Sequence, residues 1–110
     1  MKDVLQAALV TDFPLLFWDI DFLPNDGWEP IIRRLSEKLY PLVQGSTCYF
    51  IAQCKEKFGT MRWYMSQSTD EMESLIREAE KESAVTCEDC GKPGKLTGKH
   101  WVRTLCNDCA

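Results

Sequence analysis

Residues 87–109 read CEDCGKPGKLTGKHWVRTLCNDC, and the four cysteines of this run decide how the rest of the chain is read. Cys87 and Cys90 form one C-x2-C pair and Cys106 and Cys109 a second, with 15 residues between the pairs. Each pair can present two thiolates from one tight turn, a knuckle. Gly91, directly after Cys90, lets the backbone turn sharply and aim amides at sulfur. Two facing knuckles close a tetrahedral four-sulfur site, which Zn2+ favours because it is borderline-soft and has no d-electron geometry preference. The spacing lies within the range of zinc sites. The expectation is therefore one structural Zn2+ on Cys87, Cys90, Cys106 and Cys109. Iron held by four thiolates has the same geometry and is the alternative. Two disulfides do not suit a reducing compartment, and a redox C-x2-C would need only one pair. Four thiolates also fill the tetrahedron, leaving no open position for water or substrate, so no catalysis is expected at the metal.

The only histidine, His100, lies between the two knuckles in GKHWVRTL, which reads as a strand leading into the second pair. A polar neighbour of Trp101 is the simpler reading for it than a fifth ligand. No segment of helical length follows Cys109 in this sequence. The expected arrangement is thus a ribbon of two knuckles, with residues 84–110 as a zinc-ribbon tail and residues 1–83 as an α+β body.

Upstream, STDEMESLIREAEKESA (68–84) reads as a helix. Ser68 with Glu71 fits a capping box, and Met72, Leu75, Ile76 and Ala79 form an apolar stripe. TCYFIAQCKEKFGTMRWYM (47–65) reads as a hairpin turning at Gly59, with Cys48, Phe50, Ala52 and Cys54 on one face and Tyr49, Ile51 and Gln53 on the other. Cys48 and Cys54 would then share a face roughly 20 Å apart, too far to bond, and are expected to be buried as small hydrophobes. NDGWEPIIRRLSEKLYP (25–41) reads as a helix capped by Asn25 or Asp26, with Pro30 in its first turn. Trp28, Ile31, Ile32, Leu35, Leu39 and Leu42 form its inner face. Pro41 is expected to end it near Tyr40. FWDIDF (17–22) alternates as a strand with Trp18, Ile20 and Phe22 on a buried face, and residues 2–9 as a short helix. The expected fold class is α+β, a small antiparallel sheet packed with two to three helices, plus the ribbon.

Charge is unevenly spread along a chain of net charge −4. Residues 1–30 sum to −5, 31–66 to +4, 67–83 to −4 and 84–110 to +1. A chain of this sign is not expected to hold nucleic acid by bulk electrostatics, so any such binding would use the basic centre. Lys55, Lys57 and Arg62 flank the hairpin turn and, with Lys95 and Arg103 of the tail, are candidates for gripping a partner or an anion. Asp19 and Asp21, which could hold Mg2+, are read instead as a solvated edge, and Tyr49, Trp63 and Tyr64 as sheet core rather than a base-stacking platform. No phosphate-binding loop, nucleophile elbow or H-E-x-x-H motif is present, so the chain is expected not to be an enzyme. No run approaches the ~18 apolar residues of a spanning helix, and MKDVLQAALV lacks a good cleavage site. A cytoplasmic, non-membrane protein is expected.

Taken together, Asp26-Gly27-Trp28 before a helix, Lys55-Glu56-Lys57-Phe58-Gly59 in the hairpin, the acidic helix and the four tail cysteines resemble an uncharacterised family of small phage and bacterial proteins. The resemblance covers most of residues 25–109. Thr60-Met61-Arg62-Trp63 departs from the usual Gly-Leu-Arg-Phe, and the first 24 residues are the chain's own. It carries over no catalytic residue. It implies a phage or mobile-element origin. The closed four-sulfur site, the lack of a catalytic constellation and the acidic surface beside a basic hairpin point to a non-enzymatic, zinc-stabilised protein-interaction module, which in a phage setting is expected to bind and inhibit a host protein, such as a defence complex or transcription factor. A nucleic-acid-binding zinc ribbon is the alternative.

Overall fold

A computed structural model describes all residues, Met1–Ala110. Helices α1 (Asp3–Asp12), α2 (Pro14–Phe17), α3 (Glu29–Val43) and α4 (Asp70–Ser83) accompany one hairpin, β1 (Ile51–Lys57) and β2 (Thr60–Met65), whose outer face stays uncovered. A second hairpin, β3 (Lys95–Thr97) and β4 (Arg103–Leu105), forms its own two-stranded antiparallel sheet in the cysteine-rich tail. The fold class is α+β as expected, with four helices and two small sheets, the second of them in the tail.

α3 and the turn that opens it supply the largest single share of the core. Trp28, Ile31, Ile32, Leu35, Leu39 and Val43 are all buried, packed against Leu9, Leu16 and Phe17 from the N-terminal helices and Met72, Ile76 and Ala79 from α4. The expected stop at Pro41 is overshot by one turn. Burial of Val43 holds that turn in place, and the Tyr40 carbonyl accepts from Gln44 Nε2 at 3.1 Å. Leu42, expected inside, is only half-buried. The expected cap is replaced as well. A single 3-10 turn, Asp26–Trp28, leads into α3, and Asp26 Oδ1 accepts from the Lys2 amide at 2.8 Å instead of capping the helix.

α4 starts one residue later than the capping box implied. Thr69, not Ser68, caps it, its hydroxyl accepting from the Met72 amide at 3.2 Å. The body hairpin turns at Phe58-Gly59, both left-handed (φ 54° and 83°), which is the geometry that matches strand twist in a two-residue turn. Gly59 fits it without strain. A bulge at Ala52 shifts the strand phase, so Ile51 and Cys54 both face the core, where alternation had put them on opposite faces. Cys48 lies before the strand and is exposed, so only Cys54 of that pair is a buried hydrophobe. The outer edge of β2 is closed by α4: the Met61 amide donates to Ser83 Oγ at 2.9 Å and the Trp63 amide to Glu80 Oε2 at 2.9 Å.

The expected strand at 17–22 does not form. Pro14 opens a helical turn that buries Leu16 and Phe17, and no third strand is present for residues 18–22 to pair with. Trp18 and Phe22, placed inside by the alternation, are 57% and 65% exposed. Trp18 rests on Phe50, ring centroids 4.5 Å apart. The Gln6 side chain does the work of a missing strand partner, donating to the Asp21 carbonyl at 3.0 Å and accepting from the Leu23 amide at 3.1 Å.

Candidate metal centre

The two cysteine pairs meet. The sulfur atoms of Cys87, Cys90, Cys106 and Cys109 all lie within 4.8 Å of one another. A tetrahedral Zn2+ with Zn–S near 2.3 Å separates its sulfurs by ~3.8 Å, a spacing that lies between the 3.5 Å of Cys90 and Cys106 and the 4.8 Å limit of the cluster. All four thiols are free. Each knuckle is set by local bonds. In the first, the Gly91 amide donates to the Cys87 carbonyl at 2.9 Å and the Cys87 amide to the Lys92 carbonyl at 2.7 Å, with Gly91 left-handed at φ 83°. In the second, the Cys109 and Ala110 amides both return to the Cys106 carbonyl. Pairing of β3 with β4, Lys95 opposite Leu105 and Thr97 opposite Arg103, brings the knuckles together.

The electrostatics suit a cation. Burial of Cys87 opposes its ionisation, but backbone N–H groups of Cys106, Cys90 and Asp89 aimed at its sulfur outweigh this and bring the thiol down to about 6. Cys109 is pushed well up by the hydrogen bonds of the neighbouring thiols of Cys106, Cys90 and Cys87; at Cys90 the Lys92 amide pulls the thiol down, but desolvation and hydrogen bonds with the Cys106 and Cys87 thiols together raise it. One sulfur is thus ready to be a thiolate, while Cys90 and Cys109 resist ionising beside it. A divalent ion removes that conflict. The sign for pH follows: protons compete with the metal for sulfur, so affinity falls with falling pH, and more steeply below about 6, where Cys87 also takes up a proton. Competition against a chromophoric chelator over a pH series measures this; a flat profile is the contrary result.

The centre is keyed into the body. The Gly27 amide donates to the Glu88 carbonyl at 2.9 Å, Trp28 Nε1 to the Thr86 carbonyl at 2.9 Å, and Thr104 Oγ1 to the Gly59 carbonyl at 2.5 Å. A Cβ on Gly27 would lie 2.2 Å from the Cys87 carbonyl oxygen. One face of the first knuckle therefore sits on the entry to α3, and β4 sits on the turn of the body hairpin. Gly27 and Trp28 were read in the sequence only as the start of a helix. Their second role had one available signal, a glycine immediately before a helix-opening aromatic.

Arg103 braces the same joint. Its Nε donates to Glu88 Oε1 at 2.8 Å and its terminal nitrogen to Asp89 Oδ1 at 2.6 Å, while Glu88 Oε2 accepts from the Thr104 amide at 3.2 Å. Glu88 is 3% exposed. Arg103 is thus engaged with acidic groups inside the tail. Replacing it with methionine strands a buried carboxylate and is expected to cost about 2 kcal/mol in urea unfolding. Lys95→Glu, on an exposed side chain, is expected to leave stability within about 0.5 kcal/mol; equal effects of the two would show that Arg103 carries no structural load.

The remaining candidates lie elsewhere. Lys55 and Arg62 are opposite one another on the outer face of the body hairpin, and Lys57 lies one step nearer the turn, its Nζ 5.8 Å from the centre of the Phe58 ring. None of Lys55, Lys57, Arg62 and Lys95 makes an ion pair. Trp63 is buried with its ring edge-on to Phe17, centroids 6.2 Å apart, whereas Tyr64 is exposed on the outer face. Asp19 and Asp21 are exposed and join no cluster of metal-ligating groups. No helix is long and apolar enough to cross a membrane. Comparison with family models, with curated proteins and with solved structures gives no match.

Proposed function

We propose that this protein is a non-enzymatic interaction module held in shape by one structural Zn2+. The observation that carries the reading is the four-thiol centre keyed to both the entry of α3 and the turn of the body hairpin. Zinc is favoured by the all-sulfur donor set and the tight backbone-supported knuckles. With every position filled by sulfur, the ion's role is to fix the tail against the body and so hold two hairpin turns side by side.

The resemblance to small phage and bacterial proteins supports a phage-encoded protein acting in the host cytoplasm, with a host protein such as a defence complex or transcription factor as its partner. The acidic faces of α4 and the N-terminal segment would support such binding by resembling nucleic acid in charge. A second reading, a nucleic-acid-binding zinc ribbon, is favoured by the unpaired cations of the hairpin and tail. Affinity purification from a bacterial host, run beside titrations with DNA and RNA, separates the two. A saturable protein partner with no steeply salt-dependent oligonucleotide binding is expected; the reverse outcome replaces the first reading with the second. Elemental analysis is expected to find close to one zinc per chain.

A further inference from the structure

Where the body hairpin meets the tail, the turn of one hairpin faces the turn of the other. Phe58 and Trp101 project there, 68% and 80% exposed, beside Leu96 at 57%. They do not pack into either core. A cleft of about 200 Å³ opens between them, lined by Glu56, Phe58, His100, Trp101 and Val102. This is below the ~300 Å³ at which small-molecule sites begin, and it suits one bulky apolar side chain. Exposed aromatic and aliphatic groups gathered from two separate segments are the usual anchor of a protein interface rather than of a lone surface residue.

The one charged group that lines the cleft is Glu56, and the cations lie at its rim. Lys57 precedes Phe58, Lys99 precedes His100, and Lys55 and Arg62 continue down the outer face of β1 and β2. None of these four cations makes an ion pair. The one acidic group at the cleft, Glu56, is engaged with the Gly59 amide at 2.6 Å. In a chain of net charge −4, a local excess of unpaired cations beside an apolar cleft calls for an acidic ligand with an apolar anchor. A polynucleotide fits less well: the aliphatic Leu96 and Val102 offer no stacking surface, Lys57 already lies against the Phe58 ring, and the chain as a whole repels a dense polyanion.

We propose that the cleft between Phe58 and Trp101 docks an acidic peptide segment of a partner protein, with one bulky apolar side chain seated between the rings and flanking carboxylates on Lys57 and Lys99. This rests on the reading of the protein as an interaction module and names its binding face. Zinc is what would bring Trp101 to Phe58, because the tail carries one ring and the body the other.

The test uses the zinc-loaded full chain against displayed libraries of short acidic peptides, with and without a central Leu, Ile, Phe or Trp. Enrichment of anchored sequences is expected, with selected peptides losing about tenfold or more in affinity on Phe58→Asn and on Trp101→Ala. Asparagine tolerates the left-handed backbone of position 58, and both side chains are exposed, so unchanged circular dichroism and zinc content serve as the folding control. Lys57→Glu is expected to lower the on-rate with added salt masking the difference. No enrichment over the anchorless library, or affinities unmoved by both aromatic variants, overturns the proposal. Tighter binding to oligouridylate or oligothymidylate than to any selected peptide overturns it in favour of nucleic acid. Concentration-dependent dimerisation lost in Trp101→Ala overturns it in favour of a second copy of the chain. A host protein captured equally by wild type and by both aromatic variants sinks this face while leaving the interaction-module reading standing; capture by none of them sinks that reading itself.

Discussion

Cys106→Ser is expected to abolish stoichiometric zinc binding and to release the tail from the body. Four thiolates at one ion are cooperative: a three-sulfur site loses charge and coordination together, and structural zinc contributes about 10 kcal/mol or more of apparent binding free energy at neutral pH. Cys106 is buried, and the Cys109 and Ala110 amides both close on its carbonyl, so a serine also leaves the knuckle without the sulfur it is shaped around. The effect should reach past the tail. Gly27, Trp28 and Gly59 each bond to tail residues, so hydrogen exchange is expected to rise at the Gly27 amide and the Trp28 indole along with residues 84–110. Amides of α3 between Ile32 and Leu39 should stay protected, because the core they bury is independent of the metal. Chelation of the wild type should give the same pattern. Uniform loss of protection across α3 and α4 would show that the metal organises the whole chain, and unchanged protection at Gly27 and Trp28 would show that the joint does not depend on it.

Gly27→Ala is expected to cost about 3 kcal/mol, an effect at the top of the range for overpacking a close contact. The added Cβ would meet the Cys87 carbonyl oxygen at 2.2 Å and the Glu88 carbonyl carbon and oxygen at 2.5 and 2.6 Å. All three are backbone atoms, so no side chain can swing away. Either the first knuckle lifts off α3 or the helix entry shifts, and both break the bonds from Gly27 and from Trp28 Nε1. For a domain of this size, such a loss lowers the melting temperature by roughly 10–20 °C. Zinc should also leave faster, which dissociation into excess chelator reads directly. Trp28→Phe separates the parts of the joint: it keeps most of the buried ring, removes only the donor to the Thr86 carbonyl, and should cost about 1 kcal/mol. A Gly27→Ala protein with wild-type melting and zinc release would mean that the knuckle and the helix do not touch as described.

The four-cysteine cluster was legible because its chemistry is local. A C-x2-C turn followed by Gly91 specifies a knuckle from four or five neighbouring residues, and the spacing between the pairs is enough for a short hairpin to close the site. The α3 and α4 stripes and the Phe58-Gly59 turn were legible for the same reason. The failures share a cause too. FWDIDF alternates like a strand, but a strand needs a partner, and the only sheet in the body is a closed pair with its β2 edge capped by Ser83 and Glu80. The Ala52 bulge put Ile51 and Cys54 on the same face, where alternation had separated them, because one inserted residue undoes a period of two. Pro41 failed to end α3 because burial of Val43 outweighed the lost backbone bond.

Residues near one another in the chain thus determined the thiol donors, the helices and the turns. Tertiary structure alone decided that Arg103 is spent on Glu88 and Asp89, that Gly27 and Gly59 receive the tail, and that Phe58 and Trp101 share a cleft. The physical reason is that these contacts join residues 14 to 61 positions apart, and those of Gly27 and Gly59 use a backbone amide and a backbone carbonyl, which every residue carries and which leave no mark in side-chain pattern.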